Sequence, residues 1–263
     1  MKFEGPGRPL SHEGITRICD MLGCDRPTVW AVLSVETSGF GFLPDRRPQI
    51  LFERHIFHGL TGGRFDRGHE DISHPTRGGY LFGVREYARL ERAIGFDEEA
   101  ALNSASWGAG QVMGFNFAVA GFPTVKALVN AMVHGEDAQL SAMADFIKVN
   151  NLSRALRNQD WTTFARGYNG PAFAENEYDG KLKDAHAKYQ GALPDLAMRT
   201  AQAGLLYLGL EPGPVDGVAG KRTRSALIAF QARVGLPQTG ELDSTTEGTL
   251  LAAAFPNQVA DHV

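Results

Sequence analysis

Between residues 84 and 190 the chain is cut into short helical segments, and this punctuation constrains the fold more than any other feature. Apolar spacing predicts helices near 84–94, 97–105, 108–119, 124–133, 136–149, 151–158, 160–167 and 175–190. Asp97, Thr124, Glu136 and Asp160 stand at or beside segment starts. There a side-chain oxygen can accept an orphan N–H, or an acid can meet the positive end of the helix dipole. Helices this short draw their stability from packing on one another, so a mainly α domain is expected.

Two helices are expected upstream. "SHEGITRICDMLG" carries Ile15, Ile18, Met21 and Leu22 at helical spacing behind Ser11 as N-cap. The next starts near Asp25 with Pro27 in its first turn, runs through "TVWAVLSVE" and ends at Ser38-Gly39. Val29, Trp30, Val32 and Leu33 face its core side. "GFGFLPDRRPQILFERHIF" then changes period and reads as a short hairpin turning at Pro44 to Pro48. "GGRFDRGHEDISHPTRGGY" reads as loop, and residues 1–10 as a loose arm.

The pattern breaks at "YQGALPDL" around Pro194. A second unit follows, with helices over 196–208 and 222–234, a turn and a last short helix, and no tandem repeat. The expected organisation is an arm (1–10), a main domain (11–190), a linker (191–195) and a small three-helix domain (196–263).

The 263 residues carry a net charge of -4. With no basic field, neither nucleic acid nor an anionic membrane is an expected partner. No run approaches the ~18 apolar residues of a membrane span, and "MKFEGPGRPLSHEG" has no apolar leader core. Cys19 and Cys24, five apart on one helix, are expected as reduced thiols on different faces. His55 and His58 lie three apart, with His69 and His74 in the loop. Neither a Cys cluster nor an H-E-x-x-H accompanies them, so no metal and no cofactor are expected.

Four segments recur in a meaningful order. "VETSGFGF" ends a helix at Glu36, and "LFERHIF" ends a strand at Glu53. "ASWGAGQVMGFNF" opens a helix after a small-residue turn, and "FARGYNGPAF" sets Tyr168-Asn169 at a helix end. In that order they resemble the lysozyme superfamily, with its goose-type lysozymes and soluble lytic transglycosylases. "ILFERHIFH", "GGRFD" and "SASWGAGQVMGFN" resemble more closely the N-acetylmuramidase domain of phage endolysins, over residues 11 to 190. The tail resembles a three-helix peptidoglycan-binding module over 196 to 254. It matches through Asp216-Gly217, Gly220, Thr223, Ala226, Phe230-Gln231 and the Gly235-Leu236-Pro237…Thr239-Gly240 turn, while its first helix departs from the usual Leu-Gln pairing.

These resemblances imply a lysozyme-like helical domain with a short β-hairpin, plus the small binding domain. They imply cleavage of the β-1,4 bond between N-acetylmuramic acid and N-acetylglucosamine, leading to bacterial lysis. Such cleavage needs a protonated carboxyl beside the leaving oxygen. Glu36, among Val29, Trp30, Val32, Leu33, Val35, Phe40 and Phe42 and at a helix C-terminus, is placed to keep its proton. Glu53 would position water or stabilise the oxocarbenium-like charge, or else pair with Arg54, Arg46 or Arg47. Asp45 is expected to hold the hairpin turn.

By the same resemblance Gln111, Met113 and Asn116 line the cleft, and Gly108 and Gly110 let saccharide approach the backbone. Tyr168 bonds the catalytic carboxyl or the sugar beside Asn169. Trp107 is either a sugar platform or core. Thr223 is expected to cap its helix, and Arg222 and Arg224 either meet stem-peptide carboxylates or lie on a solvated face. Alternatives are a transglycosylase leaving 1,6-anhydro ends, an amidase or endopeptidase, and a non-enzymatic wall binder. The expected partner is bacterial peptidoglycan. The protein is expected as a monomer without a membrane anchor, held in the host cytoplasm until a holin-type pore releases it.

Overall fold

The computed structural model describes residues 2–37 and 39–256. Helices α1 (His12–Leu22) and α2 (Arg26–Glu36) start where expected: Ser11 accepts from Gly14 N–H, Asp25 accepts from Thr28 N–H, and proline sits in the first turn of α2. Val29, Trp30, Val32 and Leu33 are buried. Ser38, in the expected helix end, lies outside the described residues; the helix itself stops at Glu36. Cys24 falls beyond the Gly23 cap, so the two cysteines do not share a helix, and both are free.

Strand β1 (Ile50–Phe52) leads through Glu53 into α3 (Arg54–Thr61), a helix not expected from the sequence. After the loop come α4 (Arg85–Ile94) and α5 (Glu98–Asn103). The helix expected over 108–119 is absent. In its place β2 (Ala105–Trp107) turns into β3 (Val112–Met113), followed by a short 3-10 turn, Gly114–Asn116. Positive φ angles at Gly108 (70°) and Gln111 (47°) turn the chain where a helix would have to continue.

The sheet is antiparallel in the order β1-β2-β3, with Leu51 opposite Ser106 and Ser106 opposite Met113. The turn at Pro44 to Pro48 does form: Leu43 N–H donates to Arg47 O at 2.8 Å, and Phe42 bridges Pro48. The strand that follows it nevertheless finds its main partner in β2, more than fifty residues on, and β2–β3 is the regular hairpin of the sheet.

Helices α6 (Val125–His134), α7 (Glu136–Val149), α8 (Ser153–Arg157), α9 (Trp161–Asn169) and α10 (Tyr178–Gly191) complete the first unit. Asp97, Thr124 and Asp160 cap α5, α6 and α9 as expected. α1 packs along α7 and α2 along α10 around one apolar core. Residues 2–10 are no loose arm. Phe3 packs on Tyr87 and Trp107 at centroid distances of 5.3 and 5.7 Å, Leu10 is buried, and Arg8 bridges Gly135.

The second unit holds α11 (Leu196–Tyr207), α12 (Lys221–Val234) and α13 (Ser244–Ala254). It contains a short internal repeat that apolar spacing did not reveal. Buried Gln202 accepts from Asp216 and Gly217 N–H and donates to Val218 O and Thr223 Oγ1. Buried Gln231 accepts from Gly240 N–H and donates to Glu241 O and Thr246 Oγ1. Each glutamine closes one polar loop onto the helix behind it, so every buried amide atom is used. Thr223 donates to Pro212 O rather than capping; Gly220 occupies the cap of α12.

The two units are docked. Phe40 and Phe42 leave the core of the first unit and pack with Ala203, Val215, Ala254 and Phe255 of the second.

Candidate active site

Five parts of the chain meet on one cleft of about 400 Å³. Its walls include Glu36 and Thr37 from the end of α2, Gly110 to Met113 and Asn116 from the β2–β3 region, Phe146 from α7, Tyr168 and Asn169 from the end of α9, and Tyr178 from the start of α10. Glu36, Gln111, Met113, Asn116, Tyr168 and Asn169, singled out from the sequence, therefore come together around one space.

The Glu36 carboxyl is pushed up from an ordinary 4.5 to about 7, chiefly because burial disfavours the anion. The Asn169 amide opposes this by donating to Glu36 Oε1 over 2.9 Å. Of the expected apolar neighbours, Val35 lines the cleft and the others do not. Phe40 and Phe42 face the second unit, and the groups that keep water from Glu36 are Val35, Val112, Met113, Phe146, Tyr168 and Tyr178.

Tyr168 stacks on Phe164 at 5.4 Å and meets the edge of Phe146 at 5.8 Å. Burial, with the negative Glu36 nearby, pushes its phenol well up. The hydrogen bond expected from Tyr168 to the carboxyl comes from its neighbour Asn169.

Gln111 is anchored by its own turn: its Oε1 accepts from Ser106 Oγ at 2.7 Å and its Nε2 donates to Gly108 O at 2.8 Å. Gly108 and Gly110 are also required by packing, and Gly110 lines the cleft. A Cβ on Gly108 would lie 2.5 Å from Gln139 Cδ, and one on Gly110 would lie 2.9 Å from Met143 Cβ. Trp107 is fully buried and donates to Leu102 O at 3.2 Å, which makes it core and not a sugar platform.

Glu53 is not among the residues lining this cleft. It is 6% exposed, accepts from Tyr80 Oη at 2.9 Å, and has His55 Nδ1 at 3.2 Å and Arg77 at 3.8 Å. None of the three expected arginines pairs with it: Arg54 donates to backbone carbonyls of residues 70, 76 and 77, Arg46 to Pro6 O and Ala254 O, and Arg47 to Asp45. Strand alternation puts Glu53 on the sheet face of Leu51, with Ser106 and Met113 beside Leu51 in register. Asp45 holds its turn, accepting from Arg47 N–H and the Arg47 guanidinium.

His58 pairs with Asp66 at 2.9 Å. Among the described residues no group of three or more His, Cys, Asp or Glu is arranged to hold a metal ion. No described helix is long and apolar enough to cross a membrane. In the second unit Arg222 lies 3.5 Å from Glu211 on the surface.

The N-acetylmuramidase family model matches residues 25–190. The chain belongs to the N-acetylmuramidase family. A peptidoglycan binding domain matches residues 195–250 of this muramidase. The crystal structure of the Burkholderia AP3 phage endolysin is similar. It shares 42% identity over 70% of this chain and 72% of the other, with a TM-score of 0.66. No curated protein matches the muramidase chain. The chain is thus a glycoside hydrolase with a lysozyme-like helical fold and a short hairpin, joined to a peptidoglycan-binding domain, in line with the resemblances carried by its motifs.

Phe146 and Tyr178 were not foreseen in the cleft. Nothing local marks either one; Tyr178 reaches the site because α10 packs on α2, and Phe146 because α7 runs beside β3.

Proposed function

We propose that this muramidase is an endolysin that hydrolyses the β-1,4 bond between N-acetylmuramic acid and N-acetylglucosamine in bacterial peptidoglycan, with Glu36 as general acid. The observation that carries the reading is the partly buried Glu36 carboxyl on the cleft wall, with a pKa of about 7. Near neutral pH a large fraction of the molecules then hold a proton that can be transferred.

The proton passes from Glu36 to the glycosidic oxygen as the C1–O bond breaks, and the departing sugar leaves as an alcohol. Positive charge grows on the anomeric carbon, and water adds there, losing a proton. Asn169 then stabilises the Glu36 carboxylate left behind. Gln111, Met113, Asn116 and Tyr168 shape the saccharide-binding walls. Glu53 supplies the second carboxylate from the sheet face that runs away from Met113, acting on the attacking water or on the oxocarbenium-like charge. The enzyme works as a monomer divided into a catalytic unit, residues 11–190 with residues 2–10 packed on it, and residues 196–263, and it reaches the wall after release through a holin-type pore.

Digestion of purified sacculi with wild type, Glu36→Gln and Glu53→Gln in parallel tests this. New reducing N-acetylmuramic acid ends are expected from wild type, with Glu36→Gln inactive though still wall-bound. Full lytic activity in Glu36→Gln contradicts the assignment. Anhydro ends make the enzyme a transglycosylase, and no cleavage at all makes the chain a wall binder.

A further inference from the structure

The binding domain does more than dock. Glu136, the first residue of α7, is fully buried, and both its oxygens are used. Oε1 accepts from Gly41 N–H at 3.0 Å and from Arg199 Nη2 at 2.8 Å. Oε2 accepts from Leu10 N–H at 2.9 Å and from Arg199 Nη1. Arg199 belongs to α11 of the binding domain and is only 4% exposed. Its Nη2 also approaches Gly39 O at 3.4 Å, and its guanidinium lies 5.6 Å from the Phe40 ring centroid.

Gly39, Phe40 and Gly41 follow Glu36 and Thr37 in the chain, with Ser38, outside the described residues, between them. One turn along α7 from Glu136, Gln139 holds the opposite wall: its Oε1 accepts from Ala109 N–H at 2.7 Å, and its Nε2 donates to Met132 O at 2.9 Å. The segment behind Glu36 and the turn that carries Gln111 are therefore both fastened to the first turn of α7. The charge that makes a buried carboxylate tenable there comes from the other domain.

We infer that Arg199 of the peptidoglycan-binding domain is a positioning residue for catalysis, holding residues 39–41, and through them Glu36, in place by pairing with Glu136. The inference rests on the proposed role of Glu36. A domain that only tethers the enzyme raises its local concentration on the wall and leaves turnover of a soluble substrate untouched. A domain that positions the acid changes that turnover. It also changes how dry the acid is, because a shift of the end of α2 draws Glu36 away from the cleft walls that shield it. The cleft lining holds two other titratable side chains, Tyr168 and Tyr178. A displaced alkaline limb near neutrality therefore reports on Glu36.

The test uses the full chain and soluble, un-cross-linked glycan fragments. Two variants are compared with wild type: Arg199→Lys, which keeps the charge and loses the two-pronged geometry, and the double variant Glu136→Gln/Arg199→Met, which removes the buried charges together. Folding is checked by circular dichroism and wall binding by sacculus pull-down. The expected result in each folded variant is unchanged wall binding and little change in KM. In each, kcat falls about tenfold or more, and the alkaline limb of the rate profile moves to lower pH. A folded variant that keeps the wild-type kcat and limb overturns the inference and leaves Arg199 as a domain fastener. Failure of the Glu36 assignment looks different: Glu36→Gln then retains activity in the presence of an intact Arg199.

Discussion

Asn169 at the end of α9 and Glu36 at the end of α2 meet through one hydrogen bond of 2.9 Å, the amide donating to the carboxylate. Burial drives the proton onto Glu36, and this bond draws it off; the balance stands at about 7. A fully dry carboxyl would hold its proton too tightly to give it up, and a wet one would have none to give at neutral pH.

Removing the opposing bond shifts the balance. Asn169→Ala is expected to raise the Glu36 pKa further, since a bond that favours the anion is lost. The pH–rate profile of kcat/KM should extend to higher pH, its alkaline limb rising by about one unit. A limb that stays in place shows that Asn169 does not tune the acid.

The acid also weakens the fold. Its folded-state pKa of about 7 exceeds the ordinary 4.5, so the native chain holds more protons than the unfolded one between those values. Stability contributed by the neutral form is complete below pH 4.5 and is lost as pH rises through 7. Glu36→Gln cannot ionise. It should match wild type at pH 4 and exceed it at pH 8 by about 1–3 kcal/mol, the upper figure being reduced by partial solvent access. Urea unfolding at the two pH values measures this.

Glu86 is another buried carboxylate with a structural task. It accepts from Phe52, Leu81 and Phe82 N–H and pairs with Arg89 at 2.8 Å, while fully buried. Glu86→Ala strands Arg89 and three N–H groups and is expected to cost about 3–5 kcal/mol in urea unfolding. Replacing Glu86 and Arg89 together by Gln and Met should cost less than the single change.

Gly108→Ala places a methyl against Gln139 in a backbone of φ 70°. A loss of about 1–3 kcal/mol is expected, with reduced kcat because the turn carrying Gln111 must shift. Gly59→Ala, inside α3 with nothing near the new methyl, should instead gain about 0.5–1 kcal/mol. Thermal unfolding of the pair separates steric cost from a general effect of the methyl.

Helix starts were legible because caps are local. Ser11, Asp25, Asp97, Thr124 and Asp160 each bond an N–H within three residues. The cleft residues were legible because they stand in short motifs at element ends. What was missed depends on distant chain. Apolar spacing suggests a helix over 108–119, yet β2, held by β1, pairs with Val112 and Met113, and Gln139 on α7 takes up Ala109 N–H. Phe40 and Phe42 suit an acid's pocket by proximity in sequence, but they pack against Ala203, Val215, Ala254 and Phe255 of the second unit instead. Glu136 looked like an ordinary first-turn acid, and nothing nearby in sequence announces Arg199, sixty-three positions on.

The central claim is that Glu36 keeps its proton near neutrality. Carbon-13 NMR titration of the glutamate side-chain carboxyls, with the Glu36 signal assigned by its absence in Glu36→Gln, measures this directly. A midpoint near 7 is expected for that signal in the free enzyme. A midpoint at the ordinary 4.5 would contradict it.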